Sequence, residues 1–441
     1  MGRTAKKLAK KLTEAQQQAL EKLKSFLRSD HSFFRLSGYA GTGKSFLICH
    51  LIEWLDAHDF EFVIAAPTNK AAKSLMQVGS SVGINIDVKT VAQLLGQQPE
   101  INEETGEEEF TSPGDAEFDD YDVMIIDEFS MINRSNFEEI VNAIATTINT
   151  KVIFVGDEAQ LPPVKEQQPI VAISEAIDAT ATLDEIIRYE GEIAVVAEKI
   201  RSDESYARRM YSFQTSEDQT IVCQPRKEWL ETVTEYFQAK DCKPNPDYAR
   251  LLVWRNKTAG DANRFVRSRL WGKDAPIFVP GDRLIARKPL FRVRPGQKGK
   301  NRWGVLINNS EECSVIEQPT IQQLSFDKVA YQYRSVPVKT DAGFEVNLSV
   351  LTEEGERLRN EMIKDYVAKK QWNKYFDLSR TFDDITYAYS LTVHKAQGSS
   401  IDYVFLDIED MQGCPDLQKM LYTALTRAKI RVYVPVLTSN F

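Results

Sequence analysis

The octet GYAGTGKS at residues 38–45 combines glycines with a lysine and a hydroxyl at fixed spacing. Such a loop is built to hold a triphosphate. Glycines let backbone N–H groups crowd around an anion, and a helix beginning at the end of the loop adds the positive pole of its dipole. Gly38, Ala40, Gly41, Thr42 and Gly43 would line the phosphates. Lys44 is placed to reach the β and γ phosphates, and Ser45 to ligate Mg²⁺. The flanks agree: residues 33–36 read as a strand, and Leu47, Ile48, Leu51, Ile52 and Leu55 recur at helical spacing.

Two further segments supply hydrolytic chemistry. Residues 123–128, VMIIDE, form an apolar strand ending in paired carboxylates. At the C-terminal end of a strand in an α/β sheet such groups face the ligand crevice. Asp127 suits the metal, held through its waters, and Glu128 suits the attacking water. Residues 154–163, FVGDEAQLPP, repeat the strand-then-polar-turn pattern, and Gln160 is placed to bond the γ-phosphate or the attacking water.

The elements that must position these groups follow from the rest of the chain. At 441 residues about three domains are expected. A hydrophobic share of 42% and a charged share of 27% describe a globular protein. No apolar run approaches the ~20 residues of a membrane span, and residues 1–12 lack the apolar core of a signal peptide. Five cysteines, scattered and odd in number, fit neither a disulfide framework nor a metal cluster, so a reduced, cytoplasmic setting is expected. Net charge is −9, unevenly spread. Residues 283–302 carry Arg283, Arg287, Lys288, Arg292, Arg294, Lys298, Lys300 and Arg302 without an acid, and residues 100–120 are strongly acidic without a base. The basic run reads as a solvated face or as a groove that tracks phosphates.

Thr13 and Gln16 have capping-box spacing at the start of a helix over 12–27. Strands at 61–66, 122–126 and 151–155 then alternate with helices at 69–77 and 136–144, which predicts a parallel sheet covered on both faces. A second such series spans strands at 250–254, 386–391, 403–406 and 431–436, with helices at 258–270 and 416–426. Between 280 and 350 short β segments with Gly, Pro and Asn turns predict a small inserted barrel, and 351–376 reads as one long polar helix. Residues 96–118 carry a hairpin pattern.

Read together, GYAGTGKS, APTNKAAK at 66–73, IIDEFSM at 125–131, VGDEAQLPPV at 155–164, SLTVHKAQGSS at 390–400 and LYTALTRAK at 421–429 resemble, in order, the motifs of superfamily 1 helicases of the RecD-like, 5′-to-3′ branch. The resemblance covers nearly the whole chain. It implies an α/β fold of two RecA-like P-loop domains. The first, 1A, spans 1–175 with a pin hairpin, 1B, inserted at about 96–120. The second, 2A, spans 176–280 and 381–441, and an SH3-like 2B domain with a helical extension spans 281–380. It implies an ATP-dependent, Mg²⁺-requiring DNA helicase that moves 5′ to 3′ on single strands and unwinds forked duplex. A monomeric state, no membrane association and a single-strand-binding protein as a further partner are expected with it.

By the same resemblance Gln16 would bond adenine, Arg188 and Arg427 would be arginine fingers on the γ-phosphate, and Gln397 and Gly398 would face the ATP cleft. Pro67, Thr68, Asn69, Thr90, Asn256, Thr392, His394 and Lys395 would contact the strand, with Phe110 as the wedge of the pin. Ala92 stands where relatives often carry His, and Tyr189 where they carry Gln. Trp254 and Trp303 read as base-stacking or core residues. Two other functions stay open on these residues. One is a translocase that strips proteins from single strands without efficient unwinding, and the other a P-loop kinase or switch ATPase.

Overall fold

Strands that are apolar along their whole length have to be covered on both faces, and the two large sheets of the protein meet that demand with helices. The computed structural model describes residues 11–101, 108–111, 118–147, 149–185, 191–209, 214–242, 245–293, 303–341 and 343–436. In the first sheet, β1 (Phe33–Gly38), β2 (Phe62–Ala66), β3 (Val88–Thr90), β4 (Val123–Ile126), β5 (Lys151–Gly156) and β6 (Ala179–Leu183) lie in the order β3-β2-β4-β5-β1-β6. All five pairings are parallel. Leu36, Ile125 and Ile153 pack with Leu23 and Leu51 of the helices Glu14–Leu27 and Lys44–Asp56. Met124, Ile126 and Phe154 pack instead with Phe137 and Ile140 of the helix Arg134–Ile144.

The second sheet is also parallel. It contains β7 (Ile221–Pro225), β8 (Ala249–Val253), β9 (Ser390–Thr392), β10 (Ile401–Leu406) and β11 (Ala428–Val436), in the order β9-β8-β10-β11-β7. Trp229, Phe237 and Phe405 form the core under one face, while Ile200, Leu421 and Leu425 form the core under the other. An antiparallel β domain is inserted between β8 and β9. Its strands Arg283–Ala286, Glu312–Val315, Thr320–Phe326, Val329–Thr340, Glu345–Leu351 and Ile385–Tyr387 enclose Leu284, Val336, Val338 and Leu348. The hairpin expected within 96–120 pairs Gln98–Ile101 with Glu108–Thr111, Pro99 opposite Phe110.

Three expectations are corrected. The first unit does not end at 175, because β6 pairs with β1 and extends that sheet to Leu183. Residues 386–391 are not one strand. Ile385–Tyr387 closes the β insertion against Arg283–Ala286, and the second sheet resumes only at Ser390. The helix expected over 351–376 is two helices, Glu353–Ala368 and Trp372–Thr381. Between them Lys370 takes φ 52°, a left-handed conformation that ends a helix, and Gln371 N–H closes back on Tyr366 O at 2.8 Å. Among the described residues no helix is long and apolar enough to cross a membrane.

Candidate nucleotide and strand-binding sites

The phosphate loop leaves β1 and turns through Gly41 and Gly43, at φ 83° and 79°. Both angles lie in the left-handed region that glycine enters without steric penalty, and Gly43 opens the helix Lys44–Asp56. Lys44 Nζ donates to Gly38 O at 2.6 Å and Tyr39 O at 3.2 Å, which curls its ammonium over the loop. Gln16 lies against the phosphate loop. It is buried, its Oε1 accepts from Thr13 N–H in the expected capping box, and its Nε2 donates to Thr42 O at 3.2 Å. Gln16 therefore fastens the first helix to the phosphate loop.

Asp127 and Glu128 follow β4, the strand two places from β1. Glu128 adopts φ 53°, ψ 49°, a conformation that costs a non-glycine residue about 1–3 kcal/mol and is kept where surroundings over-determine it. Burial and the neighbouring Glu128 charge push the Asp127 carboxyl upward, against the pull of the Glu128 N–H and of Lys44. Two close carboxylates with one of them raised are a donor set that a cation would relieve. Among the described residues no group of three or more His, Cys, Asp or Glu gathers. A divalent ion would therefore take Ser45 and Asp127 together with phosphate oxygens and waters, the coordination Mg²⁺ favours.

After β5 the loop carrying Asp157 and Gln160 enters the space between the sheets. Gln160 is buried, and Leu161 N–H donates to Thr423 Oγ1 of the second unit at 3.0 Å. Gln397 Nε2 donates to Leu161 O at 2.8 Å, which links the second unit to the loop carrying Gln160. Gly398 meets the other functional segment. A Cβ there would lie 2.9 Å from Ala71 Cβ, and its carbonyl accepts from Ser74 Oγ at 2.9 Å. Arg427 is buried after the helix Leu417–Leu425, and its guanidinium donates within its own unit, to Thr423 O at 3.1 Å and Ser399 O at 3.4 Å. The side chain of that helix that touches the phosphate loop is Tyr422, whose hydroxyl accepts from Ala40 N–H at 3.1 Å. Sequence reasoning stopped at the arginine and missed the tyrosine of the same LYTALTRAK segment. Arg188 lies outside the described residues.

The residues expected to grip a strand share one topological address. Pro67, Thr68 and Asn69 follow β2, and Thr90 ends β3; Asn256 follows β8, and Thr392 ends β9. Thus β3-β2 and β9-β8 are the corresponding edge pairs of the two sheets, and all these residues sit at C-terminal strand ends. Thr68, Thr90 and Thr392 are helix N-caps, with Thr90 and Thr392 buried, so their hydroxyls serve the caps first. Asn256 is exposed. Burial pushes the His394 imidazole below its usual range although Asp416 opposes it, and burial together with Arg287 lowers the Lys395 ammonium. Phe110 lies in the Glu108–Thr111 strand of the hairpin.

Among the described residues of the basic run the arginines are paired, with Arg287 still exposed. Arg283 pairs with Glu312 and Asp341, Arg287 with Asp384 at 3.6 Å, and Arg292 with Asp383. Arg294, Lys298, Lys300 and Arg302 lie outside the described residues. Trp254 and Trp303 are both half-buried. Trp254 packs on the core of the second sheet, and Trp303 Nε1 donates to Asp377 at 3.0 Å.

A phosphate loop on one parallel sheet, met by the tyrosine of a helix from a second, defines a tandem-sheet P-loop NTPase. The comparisons narrow this. A family model described as an AAA domain matches residues 11–219, and one described as a UvrD-like helicase C-terminal domain matches 387–434. The chain is 23% identical over 463 residues to the ATP-dependent DNA helicase dda of Enterobacteria phage T4, covering 96% of this chain and 98% of that one. It is 24% identical over 496 residues to an uncharacterized protein of Acanthamoeba polyphaga mimivirus, covering 95% and 98%. A Pif1 helicase structure, solved in a study of unwinding at forked DNA, shares the fold with a TM-score of 0.52 at 18% identity over 97% of this chain and 92% of that one. Along nearly its whole length the chain is similar to helicases of the RecD-like branch of superfamily 1.

Proposed function

We infer that the protein is an ATP-hydrolysing DNA helicase that travels 5′ to 3′ along a single strand and parts the duplex ahead of it. The observation that carries this reading is the shared geometry of the two sheets. The nucleotide residues end β1, β4 and β5 in the first sheet and face a helix of the second. The expected strand-gripping residues end the edge pairs β3-β2 and β9-β8. A cleft that tightens and relaxes between such sheets changes the distance between two grips on one polymer, which is directional stepping.

Within the cleft Lys44 holds the β and γ phosphates, Glu128 takes the proton of the attacking water, and Gln160 orients that water. Ser45 and Asp127 would hold Mg²⁺, which would supply charge neutralisation when bound. Arg427 and Arg188 are assigned to the γ-phosphate, and their recruitment would mark the closed state. Grips made of hydroxyls, amides and one or two cations hold a backbone loosely enough to release it each cycle.

The test pairs polarity with the site. A duplex with a 5′ single-stranded tail should be unwound and one with a 3′ tail left intact; the reverse preference overturns the polarity. Lys44→Ala should lower DNA-stimulated ATP hydrolysis by about 10²-fold or more while single-strand binding persists. Retained hydrolysis in that variant would refute the nucleotide site. Strand-stimulated ATPase without unwinding on either tail would identify a protein-stripping translocase instead.

A further inference from the structure

The Tyr422 hydroxyl sits between the two walls of the cleft. It accepts from Ala40 N–H in the phosphate loop at 3.1 Å and donates to Asp157 Oδ2 at 2.7 Å. Tyr422 is 3% exposed and Asp157 fully buried, so neither contact is shared with bulk water. The direction of the chain is fixed. A carboxylate only accepts, so the phenol hydrogen points to Asp157 and a phenol lone pair faces Ala40. Burial and the Asp157 charge both push the phenol well above its usual range, which keeps that hydrogen in place at working pH.

Asp157 Oδ2 is also where Gln160 is held. Gln160 Nε2 donates to it at 3.4 Å, and Asp157 Oδ1 accepts from Ala159 N–H at 3.0 Å. Because Asp157 accepts, the amide nitrogen of Gln160 must face it and the amide oxygen must face the other way. That oxygen is buried and has no hydrogen-bond partner among the described residues. A buried, unpaired acceptor costs about 1–3 kcal/mol and is met by whatever donor enters the site. An acceptor matches the O–H of a water. It does not match a phosphate oxygen, which itself only accepts.

We propose that Tyr422 is a positioning residue for ATP hydrolysis: it fixes Asp157, and through it the acceptor end of Gln160 that orients the attacking water, while pinning the phosphate loop at Ala40. This role rests on the ATPase reading of the cleft. It makes occupancy of the loop and orientation of the glutamine one event. It also places that event on the same helix that leads to Arg427.

The test is Tyr422→Phe, which keeps the ring and removes only the hydroxyl. In the full-length protein, saturated with single-stranded DNA, kcat for ATP should fall about 10- to 100-fold, the factor for losing a hydrogen bond to a charged group. KM should stay within about threefold and the thermal midpoint near that of the parent. A merely structural tyrosine would give the opposite pattern, a lower midpoint with kcat unchanged, and that result would overturn the proposal. Asp157→Asn reads the relay from its other end. The double variant should be no slower than the slower single variant, and additive losses would also overturn it. Parent ATPase indifferent to DNA would sink the motor reading alone, since basal hydrolysis still reports the relay.

Discussion

Two of the places where the second unit meets the first are built from different chemistry. At the nucleotide cleft the links are hydrogen bonds, Tyr422 to Ala40 and Asp157, Leu161 to Thr423, Gln397 to Leu161, and Ser74 to Gly398, together with the Arg201 guanidinium over the Tyr39 ring and Leu161 packed into the core of the second unit. At the β insertion the link is ionic and deep. Glu312, on the strand Glu312–Val315, accepts from Lys70 of the first unit at 2.7 Å, from Arg250 of β8, and from Arg283 of the insertion at 3.0 Å. Burial alone would push the Glu312 carboxyl up, yet Arg250, Lys70 and Arg283 outweigh it and hold the group far below the usual carboxylate range.

A single hydrogen bond nets about 0.5–1.5 kcal/mol and re-forms with water when the surfaces part. Removing one partner of a buried ion pair costs about 3–5 kcal/mol because the remaining charge stays dry. The Arg250 and Arg283 ties of Glu312, both within the second unit, are therefore the ones built to stay, and among the described residues no buried ion pair of that kind joins the units at the cleft. The cluster itself is graded. The Arg250 side chain is 3% exposed, while that of Lys70 is 18% exposed, so the tie to the first unit is the one that water can enter.

The largest effect should come from breaking the ionic joint. Glu312→Ala leaves three cations facing one another and should lower the unfolding free energy by about 3–5 kcal/mol, measured by urea denaturation. An unchanged midpoint would mean that the cluster is solvated. The pH dependence follows with a definite sign. A carboxyl whose folded pKa is depressed contributes stability above its unfolded value of about 4.3, and that contribution fades as pH falls below it. Stability should drop on acidification below about pH 4.5, and the drop should be shallower in Glu312→Gln. The smallest effect should come from the cleft. Thr423→Val removes the acceptor for Leu161 N–H and should cost about 1 kcal/mol or less, while altering ATPase more than the midpoint. A larger stability loss at Thr423 than at Glu312 would invert the comparison.

The central strands of both sheets and the phosphate loop were legible because their signals are local: an apolar run, a glycine turn, a capping box at Thr13 and Gln16. β6 escaped notice because it is an edge strand with alternating exposure, and ATATL carries no continuous apolar run. The strands of the insertion were legible only as a texture, since Thr320–Phe326 is exposed along nearly its whole length. The break at Lys370 has no glycine or proline to announce it. The partners of Gln16, Tyr422 and Glu312 were hidden for another reason. Each side chain is defined by residues tens to hundreds of positions away, and no local pattern encodes which oxygen a buried amide, phenol or carboxylate will meet.

Only Ala388 and Tyr389 separate the last strand of the insertion from β9, and both are buried. Ala388 N–H donates to Arg283 O at 2.9 Å, and the Tyr389 hydroxyl to Asp282 at 2.7 Å. Such a leash permits no swivel. The insertion must travel as luggage bolted to the second sheet, so a dye placed on it would read out the orientation of that sheet, turnover by turnover.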